Sequence, residues 1–154
     1  MSEGSKFLHN EWSSAGVSED ARLVENAKKT ALFSLGVAYQ KFGASLEEQQ
    51  EILASITDVA MNAFVMESVY LRAQKLVKLR KGEIAADACP VFLRESMEIV
   101  ESAARNVLAA SSEGDALRTN LAVLKRFTKF EPVNAIAARR RIAERLLAAG
   151  RYIV

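Results

Sequence analysis

Cysteine and histidine are nearly missing from this chain of 154 residues, with one of each. Cys89 cannot close an internal disulfide, and it stands beside Pro90 with no His or second Cys at metal-ligand spacing. That pattern predicts an inert small residue in a reducing compartment. His9 lies near the N-terminus with no partner in sequence reach, which removes the Ser–His and Cys–His nucleophile pairs from consideration. There is no glycine-rich phosphate loop, no HExxH and no paired CxxC, so no residue is a candidate catalytic, cofactor-binding or metal-ligating group. No run of about 18 apolar residues appears, and the N-terminus lacks the basic and apolar layout of a signal peptide. The expectation is a chain that is neither secreted nor membrane-spanning. The two Pro and seven Gly fall mostly between periodic segments, and β-branched runs are few, which favours an all-α fold.

What is present is a globular composition, half hydrophobic and 26% charged. The net charge of +2 is unevenly spread, because Lys125, Arg126, Lys129, Arg139, Arg140, Arg141, Arg145 and Arg151 face only Glu131 and Glu144 in the same stretch. Arg140, Arg141 and Arg145 are the candidate basic end for an anionic membrane surface or an acidic protein face. The triplet Arg139 to Arg141 has no aromatic platform and no helix-turn-helix spacing beside it, so nucleic acid is not an expected partner.

Residues 1–17 have no sustained period and read as a flexible tail or linker, with Trp12 either docked loosely on the rest or mobile; residues 18–154 read as one antiparallel bundle of about five helices. Ser18, Glu19 and Asp20 open the first helix, and Gly43 stops it. The second, Ser45 to Leu79, has a capping-box pair in Ser45 and Glu48 and no Gly or Pro inside, and at 1.5 Å per residue it would run roughly 50 Å. It is the expected central helix. The third is secure from Pro90 to Ser111 with a start several residues earlier left open, the fourth covers Ala116 to Phe127, and Asn134 caps a fifth from Ala135 to Ala149.

Wound at 100° per residue, the second helix puts Ile52, Leu53, Ile56, Ala60, Ala63, Phe64, Tyr70 and Leu71 on one face with Glu67 in its middle. From Met61 onward the other side also turns apolar through Val65, Val69 and Leu76, which makes these three the candidate interface, for a homodimer or another body. In the fifth helix Arg139 points into the face formed by Ile136, Ile142, Ala143, Leu146 and Leu147. An unpaired buried charge is too costly to keep, so Glu67 and Arg139 are expected as a buried structural pair, with Arg118 or Arg72 in reserve.

Three motifs in order carry a family resemblance: QKFG at Gln40 to Gly43, MESVYLRA at Met66 to Ala73, and the P-V-N-x-I-A-x-R-R-x-I-A pattern from Pro132 to Ala143. From about Val24 to Tyr152 the chain resembles the C-terminal helical domain of the very-long-chain class of acyl-CoA dehydrogenases. The resemblance implies a flavoprotein parent that removes hydrogens from the α and β carbons of a fatty acyl-CoA in β-oxidation, in the bacterial cytoplasm or the mitochondrial matrix. It also implies that the FAD site and the catalytic glutamate belong to a preceding catalytic core, so this chain carries no cofactor of its own and Glu67 is not that base. The expected role is a non-catalytic accessory domain that packs on the core and modulates assembly, substrate length or membrane contact. The alternative is a free-standing helical module that binds a partner or an anionic membrane through its basic end.

Overall fold

The computed structural model describes residues 18–151, and every described element is helical. The tail expected over residues 1–17, with His9 and Trp12, lies outside the described residues. Helix α1 spans Glu19–Phe42 and starts where expected: the Ser18 hydroxyl accepts a bond from the Ala21 N–H at 3.2 Å, with Glu19 and Asp20 in the first turn. It ends at Gly43, whose φ of 53° with ψ of −128° is a conformation only glycine adopts without strain.

Between α1 and the second helix the expected capping box does not form. Residues Gly43–Glu48 make a tight 3₁₀ turn, and the Ser45 hydroxyl donates to the Phe42 carbonyl at 2.7 Å, closing the end of α1 instead of opening α2. Leu46 explains the turn, because folding it inward buries that side chain in a small cluster with Ala38, Ile56 and Val107. Helix α2 therefore covers Gln50–Lys78, shorter than expected and without a side-chain cap. Its end is tight. Arg80 takes a φ of 56°, the Lys81 N–H reaches back to the Leu76 carbonyl at 3.0 Å, and a Cβ placed on buried Gly82 would stand 2.5 Å from the Val77 nitrogen.

Helix α3 covers Glu83–Ser111 and runs through Pro90 rather than starting there. An interior Pro costs about 3 kcal/mol. The turns before it are held by packing, since Cys89 is buried and Ala85 packs against the same cluster. Helix α4 follows over Gly114–Thr128 and α5 over Ala135–Ala149, the latter capped by the Asn134 side chain on the Ala137 N–H at 3.0 Å.

The long central helix is α3, not α2. Leu93, Met97, Val100, Ala104 and Leu108 of α3 are essentially inaccessible, and α1, α2, α4 and α5 all pack against it. Each fully buried Leu or Met contributes about 1.5–3 kcal/mol, so this stripe is the main source of cohesion. Contacts fix the directions: Ser18 meets Tyr70 while Ala38 meets Ile56, so α1 and α2 are antiparallel, and Asp20 meets Arg94 while Ala38 meets Val107, so α1 runs parallel to α3. Helix α4 closes the far side with Leu124 buried and the Phe127 ring edge-on to Phe33 at 6.1 Å.

Candidate interaction surface

The expected Glu67–Arg139 pair does not exist. Glu67 binds Lys28 of α1 at 2.5 Å, Arg139 pairs with Glu95, and Arg118 pairs with Asp115 at 2.9 Å; all six side chains are more than a third exposed. The reason lies in the rotation of α2, which buries Val59, Ala63, Met66 and Ala73 and so carries Glu67 to the edge of the α1 contact. A buried ion cluster is present, but it is built on Arg94. Its guanidinium donates to the Asp20 carboxylate at 2.8 Å, to the Glu131 carbonyl at 2.9 Å and to the Pro90 carbonyl at 3.0 Å, with a Glu19 oxygen 3.6 Å away. Glu19 in turn accepts the Glu131 N–H at 2.9 Å. One buried cation thus ties the start of α1 to α3 and to the connection before α5. Sequence reasoning missed it because Glu19 and Asp20 were already accounted for as helix-start residues.

The basic end is largely spent inside the molecule. Arg141 binds Asp87 of α3 through Nε at 3.0 Å, and Arg145 reaches Asp87, the Glu83 carboxylate at 3.5 Å and the Glu83 carbonyl at 3.2 Å. Burial pushes the Asp87 carboxyl up, but the hydrogen bonds and charges of Arg141 and Arg145 outweigh it and hold its pKa below the ordinary value. Arg140 is exposed and makes no ion pair among the described residues. The apolar stripe of α5 also splits: Ala138 is buried, whereas Ile136 and Leu147 are 64% and 82% exposed.

The surplus apolar surface of α2 exists, on a different side from the one expected. Val69 packs against the core and Leu76 is half-buried, leaving Val65 of the three at 41% exposure. Phe64 and Leu71, expected inward, are exposed together with Met61, and on α1 Leu32, Leu35 and Tyr39 are exposed as well. The Lys28–Glu67 bridge links the two helices. Helix α2 is long and apolar enough to cross a membrane by length and composition alone, and only 22% of its most apolar window is buried.

Against this geometry the comparisons are specific. A sequence profile of the acyl-CoA dehydrogenase C-terminal domain matches residues 26–126. The chain belongs to the acyl-CoA dehydrogenase family. All of this acyl-CoA dehydrogenase domain aligns, at 35% identity, with a probable acyl-CoA dehydrogenase of Bacillus subtilis (strain 168), and it spans 27% of that relative's length. The solved acyl-CoA dehydrogenase of Bacillus anthracis, complexed with FAD, matches 97% of the domain at 36% identity with a TM-score of 0.85, and the match again covers 27% of the larger chain.

The residues of the domain do not fit a flavin. A shallow groove between α2 and α3 is lined by Ser55, Asp58, Glu95, Glu98 and Asn106, whose carboxylates would repel a diphosphate. The cation beside this groove, Arg139, is already held by Glu95. The single cysteine is not poised as a nucleophile: Cys89 is buried, and desolvation, with Asp20 nearby, pushes its thiol up to about 12, so it stays protonated. No cluster of His, Cys, Asp and Glu that could hold a metal occurs among the described residues. What the domain offers is surface.

Proposed function

We propose that this chain acts as the non-catalytic C-terminal accessory domain of an FAD-dependent acyl-CoA dehydrogenase, packing on the catalytic core and influencing its assembly and the length of acyl chain it accepts. The carrying observation is the full alignment of the chain with 27% of an acyl-CoA dehydrogenase, which leaves the remaining length of such an enzyme for the chemistry. The shallow grooves and the protonated Cys89 support the same division of labour. A parent acting on long fatty acyl chains in the bacterial cytoplasm is part of this proposal. Membrane contact through the basic end is less favoured, because of its three residues Arg141 and Arg145 are engaged by Asp87, which leaves Arg140 to meet an anionic surface.

Co-purification checks the reading. The tagged chain, expressed with the flavin-binding core encoded with it, is expected to emerge as a yellow one-to-one complex. A chain that never retains a flavoprotein, in high or low salt, would remove the basis for an accessory role.

A further inference from the structure

We propose that α5 is a hinged arm on this domain, and that the start of α1 sets how firmly the arm is shut. The contacts at its base and those along its length differ in kind. At the base both backbone groups of Glu131 are held: its carbonyl accepts from the Arg94 Nε at 2.9 Å, and its N–H donates to the Glu19 carboxylate at 2.9 Å. Phe130 before it packs against the core, whereas Pro132, Val133 and Asn134 after it are exposed. Glu131 is thus the last fixed residue before α5, and the three exposed residues are the hinge.

Along its length α5 is held on α3 largely by charge. Ala138 is its one fully buried residue, and Ile142 and Leu146 are half-buried. Beside them runs a ladder of ion pairs: Arg139 on Glu95, Arg141 on Asp87 at 2.5 Å, and Arg145 on Asp87 at 2.5 Å and on Glu83 at 3.5 Å. Pairs of this kind contribute little each and are screened by salt. A helix of 15 residues released from its support is marginal in water, so an arm that opens also frays. The base is different, because the Arg94 side chain is 9% exposed and Asp20 holds it from the first turn of α1 at 2.8 Å. Glu19 and Asp20 therefore act on α5 through Glu131: they fix the direction in which the chain leaves it, and with that the position from which the ladder closes. Loss of this grip adds one free residue to the hinge, and by linkage an opened arm loosens the grip by the same factor. Opening also bares Asp87, 12% exposed while the arm is shut, so a change at the start of α1 is read out as newly exposed charge on α3.

Amide hydrogen exchange of the full chain tests this, with far-UV circular dichroism to follow the whole fold. In the wild type the amides of α5 should exchange faster than those around Leu93, Met97 and Val100. Raising NaCl to about 1 M, where the Debye length falls to about 3 Å, should speed α5 by about tenfold without a like change in that stripe. Glu19→Ala removes the acceptor of the Glu131 N–H and should speed α5 by about tenfold at low salt, roughly what fixing one backbone residue is worth. Glu19→Gln keeps an oxygen for that N–H and should recover most of the protection. Glu25→Ala, which removes an exposed pair with Lys29 inside α1, should match wild type. Linkage supplies the converse reading: Asp87→Asn should speed exchange at the Glu131 N–H by a similar factor. If the amides of α5 exchange only together with the α3 stripe, there is no arm and the proposal is overturned. An α5 that opens by itself but is indifferent to Glu19→Ala overturns the link to α1. The same holds if Glu19→Gln is no better than Glu19→Ala and the α3 stripe is sped equally, since the change then acts on the whole fold.

Discussion

Arg94 and Glu67 show how differently two charged residues on neighbouring helices can be used. The Arg94 side chain is 9% exposed and the Asp20 side chain 13%, so removing the cation leaves a carboxylate in a dry site with backbone carbonyls on one side and Glu19 on the other. Arg94→Met should therefore destabilise the chain by about 3–5 kcal/mol in urea unfolding followed by circular dichroism. Glu67→Gln, which breaks a bridge whose members are both more than a third exposed, should cost less than about 1 kcal/mol. Equal effects from the two would mean that the Arg94 site is wetter than its burial says. The buried pair was not legible in the sequence: the two charges placed on apolar faces, Glu67 and Arg139, are both more than a third exposed and paired elsewhere. Glu67 sits on a helix that is apolar nearly all round, so its pattern leaves the inward direction to be set by the neighbours. Asp20 serves as a helix-start residue and as a buried counter-ion at once, and only the first role has a sequence signature.

At the scale of elements the end signals at Ser18, Gly43, Asn134 and Gly150 were readable because each acts locally, Ser18 and Asn134 by a side-chain oxygen on the N–H three residues ahead and the two glycines by a positive φ. The start of α2 was not, since Ser45 found a carbonyl at the end of α1 and Leu46 gained more from burial than a cap would have given. The start of α3 was obscured by Pro90, whose interior position is tolerated because Cys89 and Ala85 are fixed by packing. Helix α5 is held differently. Its one fully buried residue is Ala138, and its hold on α3 runs largely through Asp87, which faces Arg141 and Arg145 with Glu83 one turn away. Asp87 has a lowered pKa in the folded state, so its contribution is fully present above the unfolded value of about 3.9 and is lost as the pH falls through the folded value. Amide chemical shifts of α5 should consequently move on acidification below about pH 4 before those of the buried stripe of α3. Asp87→Asn should loosen α5 already at neutral pH and remove Asp87's share of the acid step. An α5 that changes only together with Leu93 and Met97 would mean that apolar contact, not the ion pairs, holds it.

For the molecule as a whole, the all-α class and the five helices were legible from periodicity, and the family from three short motifs, while the choice of α3 as hub was not. Both α2 and α3 are long and apolar, and what separates them is that α3 buries a continuous stripe from Cys89 to Ser111 whereas α2 buries only five residues and leaves Met61, Phe64 and Leu71 in solvent. That asymmetry bears on catalysis. A dinucleotide such as FAD needs a deep cleft for its ring and fixed donors for its diphosphate. The described residues provide open grooves: the one between α2 and α3 is rimmed by Asp58, Glu95 and Glu98, and the one between α3 and α4 is a shallow strip along Glu101, Arg105 and Leu121. Of the cations beside them, Arg139 is held by Glu95 and Arg105 by Glu101, which leaves a single lysine, Lys125, on an open strip. The purified chain should therefore be colourless, should take up no FAD in equilibrium dialysis, and should not reduce an electron acceptor when given palmitoyl-CoA. Adding the flavoprotein core should restore turnover without changing the ratio of one flavin per core. Flavin retained by the chain alone, or turnover without any core, would place the chemistry inside this helical bundle, in a cleft that neither groove along α3 supplies.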